Sequence, residues 1–439
     1  METPSHSRLS VQEQRYGMRN AYIGQAMGLL FPKLLIEQSV GPLFIKTMGG
    51  SDFQAMLLAS FVGLFTLLQV PVVLRVHPWK RKRFMLRSWW LSGMAAGAGI
   101  LLPFLMRPGP DMVWGAIGAF FLFSLVQTCG ATFWFPLLHD VVPAARRGRF
   151  FGTMRAIWSI TTFCGAVAAG VFLGADPALW KFQLVFGLAI LGFFGRNYFV
   201  GRIPEAGRPA EAVEAFSNWR RHLQGILERR QALVFGGYLV TLVFCAGFLQ
   251  QPMILYMKSL GFATGDNVLL YGFTILGAAG ALLVSGLLVD RIGTRYVFLL
   301  AHIVLATLAA LVLGVRMLPP GHMKPCLVGI FIASGAAFAA ADVAGTAQLF
   351  HLAPRRGRAF FLSLFNVLRF SGVALAPFTA GIVLGLAPSG WSLSWGGAGW
   401  NVYETLFAAA GAGLLASALF LFRVDNVHGE SAAGKVLEE

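Results

Sequence analysis

The stretch AFFLSLFNVLRFSGVALAPFTAGIVLG (359–385) decides how this chain is read. A helix needs about 20 apolar residues to cross ~30 Å of hydrocarbon, and this stretch supplies more. It is apolar throughout rather than alternating, so it reads as a helix and not as a strand of a closed barrel. One arginine, Arg369, stands near its middle. A charge at that depth costs ~2.5–3.5 kcal/mol on insertion scales and is kept where it faces a partner or a wet cavity.

Comparable stretches recur along nearly all 439 residues. The composition is 56% hydrophobic and 12% charged, where a soluble protein carries about 25% charge. The chain therefore reads as an all-α membrane protein with about twelve spans, since only helices or closed barrels satisfy the backbone in lipid. An even number of spans places both ends on one side. The net charge of +16 does not point to nucleic acid, because the cations gather in short loops between spans. Roughly 27 of the 35 Lys and Arg fall with the ends and alternate loops, about 6 on the other side, and two inside spans. By the positive-inside rule, that crowded side, with both termini, is expected to be cytoplasmic, the protein lying in the plasma (inner) membrane.

The four cysteines lie in or beside apolar segments without CxxC spacing and read as buried thiols. No GxxxxGK[ST], GxSxG or metal-ligand spacing appears, so ATP-driven pumping, enzymatic catalysis, a cofactor and a metal are not expected. The first residues lack the apolar run of a cleaved signal peptide.

The chain repeats itself. VPAARRGRFFG (142–152) is similar to APRRGRAFFLS (353–363), and GPLFIKTMGG (41–50) to QPMILYMKSLGF (251–262), at offsets of about 210 residues. This gives a bundle over 1–200, a linker over 201–230 and a second bundle over 231–439. In the linker, Phe216, Trp219, Leu223 and Leu227 recur at helical spacing beside arginines. The segment is either a helix lying on the membrane face or a plain tether.

GLLVDRIGTR (286–295) follows the eighth span. Gly286, Leu288, Asp290, Arg291, Gly293 and Arg295 fit the pattern G-x-L-x-D-R-x-G-x-R. With twelve spans, the duplication and the RGR loops, the chain resembles the major facilitator superfamily over essentially its full length. That resemblance implies two pseudo-symmetric six-helix bundles and alternating access to a central site, with the motif as a cytoplasmic gate in which Asp290 faces the fifth span near Phe150. Two departures stand out. The equivalent first-half loop, RVHPWKRKR (75–83), has Lys80 about where an acid would stand, so gating is expected to be asymmetric. The exporter signature Gly-Pro-x-x-Gly-Gly is missing from TTFCGAVAAGVFLG (161–174), and a diluted form, GVALAPFTAG (372–381), lies in the eleventh span.

Ions at depth nominate the site. Asp342 and Arg369 each lie about 15 Å inside, on consecutive antiparallel spans. They read as a structural pair, or as a substrate or proton-coupling site. Lys33 and Glu37, four apart, share a helix face and read as a binding pair or a self-neutralised one. The resemblance puts the first, fourth, seventh and tenth helices at the cavity. Expected substrate-binding residues are Lys33, Glu37, Gln127, Trp134, Gln250, Gln251, Asp342, Asn366 and Arg369, with Glu37 and Asp342 as proton carriers. The expected function is secondary transport, by symport in the sense of proton coupling, of a small polar or anionic solute such as a sugar or organic acid. Its partners are the substrate, the lipid bilayer and protons, and it acts as a monomer. The rivals are an exporter of amphipathic drugs or lipids, and a receptor or scaffold that does not transport.

Overall fold

A computed structural model describes residues 9–107, 109–143, 146–205, 219–354, 358–388, 390–395 and 398–427. Among these, eleven helices are long and apolar enough to cross a membrane. The crossing they leave out is the first. It is made in three pieces: an α-helix Val11–Gly28, a π-helical segment Phe31–Gln38 and a short α-helix Val40–Thr47. Pro32 lies in the π segment and has no N–H to give to the ladder. π turns concentrate at functional sites, and this one carries Lys33 and Glu37. The chain thus has the expected all-α plan of twelve crossings in two six-helix bundles. The face carrying loops 75–84 and 290–295 is called here the basic face, and the opposite one the distal face.

The duplication is visible atom by atom. The short helices Val40–Thr47 and Met253–Ser259 both follow a break, and both end on a glycine with positive φ, +89° at Gly49 and +85° at Gly261. Gly50 N donates to Ile45 O at 2.9 Å, and Phe262 N donates to Met257 O at 3.0 Å, which closes the same cap in each half. Lys46 pairs with Asp52 at 2.6 Å, and Lys258 donates to Thr264 at 3.3 Å. One 212-residue offset relates both members of these pairs.

Two seams join the halves. The fifth crossing (Arg147–Leu173) packs on the eighth (Thr264–Ile292), and the second (Asp52–Phe65, continued by Gln69–Arg75) packs on the eleventh (Arg358–Leu386). Glycine lets backbones touch there: a Cβ on Gly265 would stand 2.2 Å from Gly170 O, and one on Gly63 2.8 Å from Phe370 O. At the distal end Gly265 N donates to Gly174 O at 2.6 Å and Thr264 N to Ala175 O at 3.1 Å. The Tyr403 hydroxyl, in the twelfth crossing (Val402–Ala418), donates to Asp52. These three hydrogen bonds cross from one half to the other, and all lie at the distal face. The halves are fastened there.

On the basic face the motif loop of the second half is tied down. Gly293 ends the eighth crossing at φ +86°. Thr294 N donates to Val427 O at 2.9 Å, and Arg295 N donates to Asn426 Oδ1 at 3.0 Å. The Thr294 hydroxyl donates to Gln348 Oε1 at 2.7 Å, whose amide reaches Asp425 O at 3.2 Å. A strap at 425–427 thereby pins the eighth–ninth loop to the tenth crossing (Pro320–Leu352).

Two segments outside the bundles are ordered as well. Trp395 and Trp400 lie in an antiparallel hairpin, Ser392–Trp395 with Ala398–Asn401, braced by Arg316 donating to Gly399 O at 2.8 Å. The linker does contain a helix, Trp219–Leu227. Its Ile226 is buried and its Leu227 exposed, while Phe216 and the side chain of Trp219 lie outside the described residues.

Candidate substrate cavity

A cavity of about 340 Å³ lies between the halves. The first crossing contributes Lys33, the second Gly63, and the fifth Arg155, Trp158 and Ser159. From the second half come Gln250 and Gln251, Tyr271 and Thr274, Phe338 and Asp342, and Arg369 and Phe370.

Arg369 and Asp342 form an ion pair. Each side chain keeps about a quarter of its surface open, 28% and 24%, so the pair meets the cavity rather than lipid. This answers the question raised by the arginine in the eleventh span: its counter-ion is on the neighbouring tenth crossing, at matching depth. Arg155 faces the same space from the opposite half and makes no ion pair with a described residue. It stands eight residues into the fifth crossing, ~12 Å along the helix.

Polar atoms around the cavity lack partners. Trp158 Nε1, Gln250 Nε2, Gln251 Oε1 and Thr274 Oγ1 are buried and bonded to nothing. Buried polar groups are otherwise almost always satisfied, each orphan costing about 1–3 kcal/mol. An indole donor, two side-chain amides that each offer both donor and acceptor, and a hydroxyl converge on one hollow and form a recognition surface for a polar solute. Apolar side chains such as Val62, Ile275, Leu282 and Phe338 complete the wall.

Of the residues nominated from sequence, Lys33, Gln250, Gln251, Asp342 and Arg369 share this cavity. The backbone of Glu37 lies in the π segment, and its side chain is outside the described residues. Gln127, Trp134 and Asn366 do not border it. Trp134 turns into its own bundle because a buried arginine recruits it. Arg196 is 3% exposed, with its guanidinium 3.9 Å above the Trp89 ring and 5.6 Å from that of Trp134. The Gln127 carbonyl accepts from Trp89 Nε1 at 3.3 Å in the same cluster. Asn366 lies one turn nearer the basic face than Arg369 and is exposed. The lining draws on the second, fifth, eighth and eleventh crossings where the family plan stressed the fourth. Arg155, Tyr271 and Thr274 were not foreseen. In sequence Arg155 follows closely on the basic loop at 145–150, and only its helical depth distinguishes it.

In the gate motif, Asp290 and Arg291 are exposed, and Asp290 is bonded to none of the described residues. Gly286 opens onto free space. Gly293 packs on Asn426, and the Arg295 guanidinium lies 5.4 Å from the Phe422 ring. The contact to the fifth crossing implied by the resemblance is not among these.

Two six-helix halves, broken first and seventh crossings and a polar hollow between them define the architecture of a membrane transporter. A family model, Major Facilitator Superfamily, matches residues 23–377, and the chain belongs to that family. Solved structures share the fold. The xylose transporter XylE from E. coli, inward open, superposes with TM-score 0.63 at 12% identity, over 98% of this chain and 99% of that one. A D-xylose-proton symporter gives 0.66 at 14% identity, over 94% and 98%. A bacterial homologue of the iron transporter ferroportin, inward-facing, gives 0.65 at 14% identity, over 94% and 99%. No curated protein matches the chain in sequence.

Proposed function

We propose that this protein is a secondary transporter of a small organic anion, an organic acid with an apolar portion, working by alternating access and coupled to protons. The observation that carries the reading is Arg155. It is a cation on the wall of the cavity, unpaired with any described residue, opposite an Asp342–Arg369 pair that neutralises itself. A carboxylate placed between Arg155 and Arg369 would meet guanidinium donors from both halves, which suit it bidentately. The orphan atoms of Trp158, Gln250, Gln251 and Thr274 would take its remaining polar groups. Asp342 is the proposed proton carrier: protonation would release Arg369 for substrate, and substrate departure would restore the pair. Glu37 remains the second proposed carrier.

The basic face is proposed to be cytoplasmic, supported by roughly 27 of the 35 Lys and Arg falling with it. With the distal ends bonded together, the conformation is then one closed to the outside. A second reading, export of amphipathic anions, is favoured by the apolar wall of Val62, Ile275, Leu282 and Phe338.

The test is uptake into proteoliposomes of small carboxylates against neutral sugars, under a proton gradient. Carboxylates accumulate, Arg155→Gln raises their KM, and Asp342→Asn abolishes accumulation while sparing counterflow. Transport of neutral sugars indifferent to Arg155→Gln overturns the reading.

A further inference from the structure

A second groove, of about 610 Å³, lies on the basic face of the first half, outside the central cavity. Arg75, His77, Lys80, Arg83 and Arg87 line it, and among the described residues no carboxylate does. The cations around it sort into two sets. Lys82 turns the other way and donates to Ile203 O at 2.6 Å, with Glu205 at 3.8 Å, and Arg81 lies 5.6 Å from the Phe133 ring. Those set in the groove have no acidic partner among the described residues.

This arrangement is unfavourable by itself. Arg83 and Arg87 are like charges at i and i+4 on one helix face. They stand in the opening turns of the third crossing (Arg81–Leu105), at the positive end of its dipole, with no acid in the first turn and no side-chain cap. The duplicated loop of the second half carries Asp290 instead and is tied down by the strap at 425–427. The first-half loop has no acid of its own and is tied only through Lys82, to Ile203 O and Glu205. An anionic group in the groove would offset the repulsion among its cations.

The surroundings say what kind. The groove runs on to Leu91, 54% exposed, and the nearby Trp79 and Trp90 are 68% and 45% exposed. Cations at one end, a lipid-facing apolar wall at the other and tryptophans at the boundary match a molecule with an anionic head and a hydrocarbon tail. We infer that the groove formed by Arg75, Lys80, Arg83 and Arg87 binds the phosphate-bearing headgroup of an anionic glycerophospholipid, with its acyl chain along Leu91.

Native mass spectrometry of the full-length protein tests this after exchange into a neutral detergent, with phosphatidylglycerol, phosphatidylcholine, glycerophosphate or inorganic phosphate added in separate arms. The wild type retains phosphatidylglycerol over phosphatidylcholine. The double variant Arg83→Gln/Arg87→Gln retains at least about tenfold less, since interfacial cations each contribute substantially to anionic-lipid binding. A variant with the same charge loss elsewhere on the basic face, Arg146→Gln/Arg229→Gln, retains as much as wild type. All substituted residues are exposed, and thermal unfolding of each variant confirms that the bundle is intact. Equal loss in both double variants reduces the effect to bulk charge and overturns the site. Equal retention of phosphatidylcholine overturns the headgroup assignment. Binding of inorganic phosphate or glycerophosphate as tight as that of the lipid assigns the groove to a soluble phosphate and overturns the lipid.

Discussion

The Tyr403 hydroxyl donates to Asp52 across the seam between the halves, and Asp52 is also held by Lys46 at 2.6 Å. One carboxylate thus joins a repeat-conserved pair of the first half to the head of the twelfth crossing. Beside it, Glu404 is 1% exposed, accepts from Tyr256 at 3.1 Å and pairs with Arg316 at 3.5 Å. The distal closure is therefore a polar lock on a buried base. Tyr403→Phe removes the cross-seam bond and leaves the ring. A hydrogen bond to a charged group contributes about 1.5–3 kcal/mol, less where water reaches it. Tyr403→Phe is expected to raise severalfold the labelling, by a membrane-impermeant reagent, of a cysteine placed at Ser159, which is buried on the cavity wall. Unchanged labelling would show that the glycine seam alone keeps the lock shut.

The Asp342–Arg369 pair predicts a non-additive pair of variants. Arg369→Gln leaves a carboxylate at depth with no counter-ion, and Asp342→Asn leaves a lone guanidinium. Each is expected to lower thermal stability, by about 1–3 kcal/mol. The double variant should cost less than the sum of the two. Additivity in a double-mutant cycle of unfolding would mean that the two groups are solvated independently.

Glycine spacing makes a steric prediction. A Cβ on Gly335 would stand 1.9 Å from Thr274 O, and one on Gly277 2.0 Å from Ile332 O, where the eighth and tenth crossings touch. Gly335→Ala is expected to destabilise by about 1–3 kcal/mol, as overpacking does. It should also weaken substrate binding, since Thr274 lines the cavity. Gly118→Ala in the fourth crossing (Pro110–Ala131) meets open space and should be neutral or mildly stabilising. Melting temperatures of the two variants decide it.

Arg196 predicts an unusual order of substitutions. Its Nε and one terminal nitrogen have no partner, and its plane lies on Trp89. A lysine would keep the charge but lose the stacked plane, leaving a strongly hydrated ammonium among indoles. Methionine fills the space without a charge. Arg196→Lys is expected to melt lower than Arg196→Met, by thermal unfolding in detergent. The reverse order would show that the positive charge itself holds the cluster.

Much of this was legible because lipid enforces simple rules. Span length, loop charge and the duplicated 41–50 and 251–262 stretches led to the two-bundle plan, and equal depth on adjacent spans led to the Asp342–Arg369 pairing. What was not legible depends on which way a helix is turned. Spans that are apolar all round carry little amphipathic signal, so Gln127 and Trp134 gave no sign of facing their own bundle. Arg155 and Arg196 sit within two turns of helix ends and resemble loop cations until depth is measured. The π turn changes the hydrogen-bond register without changing the apolar pattern. The hairpin at 392–401 is too short, and too rich in Trp, Ser and Gly, to separate from an interfacial belt.

The strap at 425–427 gives the two halves unequal floors. One repeat has its loop riveted to a neighbouring helix by Thr294, Gln348 and Asn426, and the other holds its loop through Lys82 alone, beside a crowd of repelling cations. If the halves rock as proposed, deformation would concentrate where stiffness is lowest. The movable jaw would then be the first repeat, and the second the anvil against which it swings.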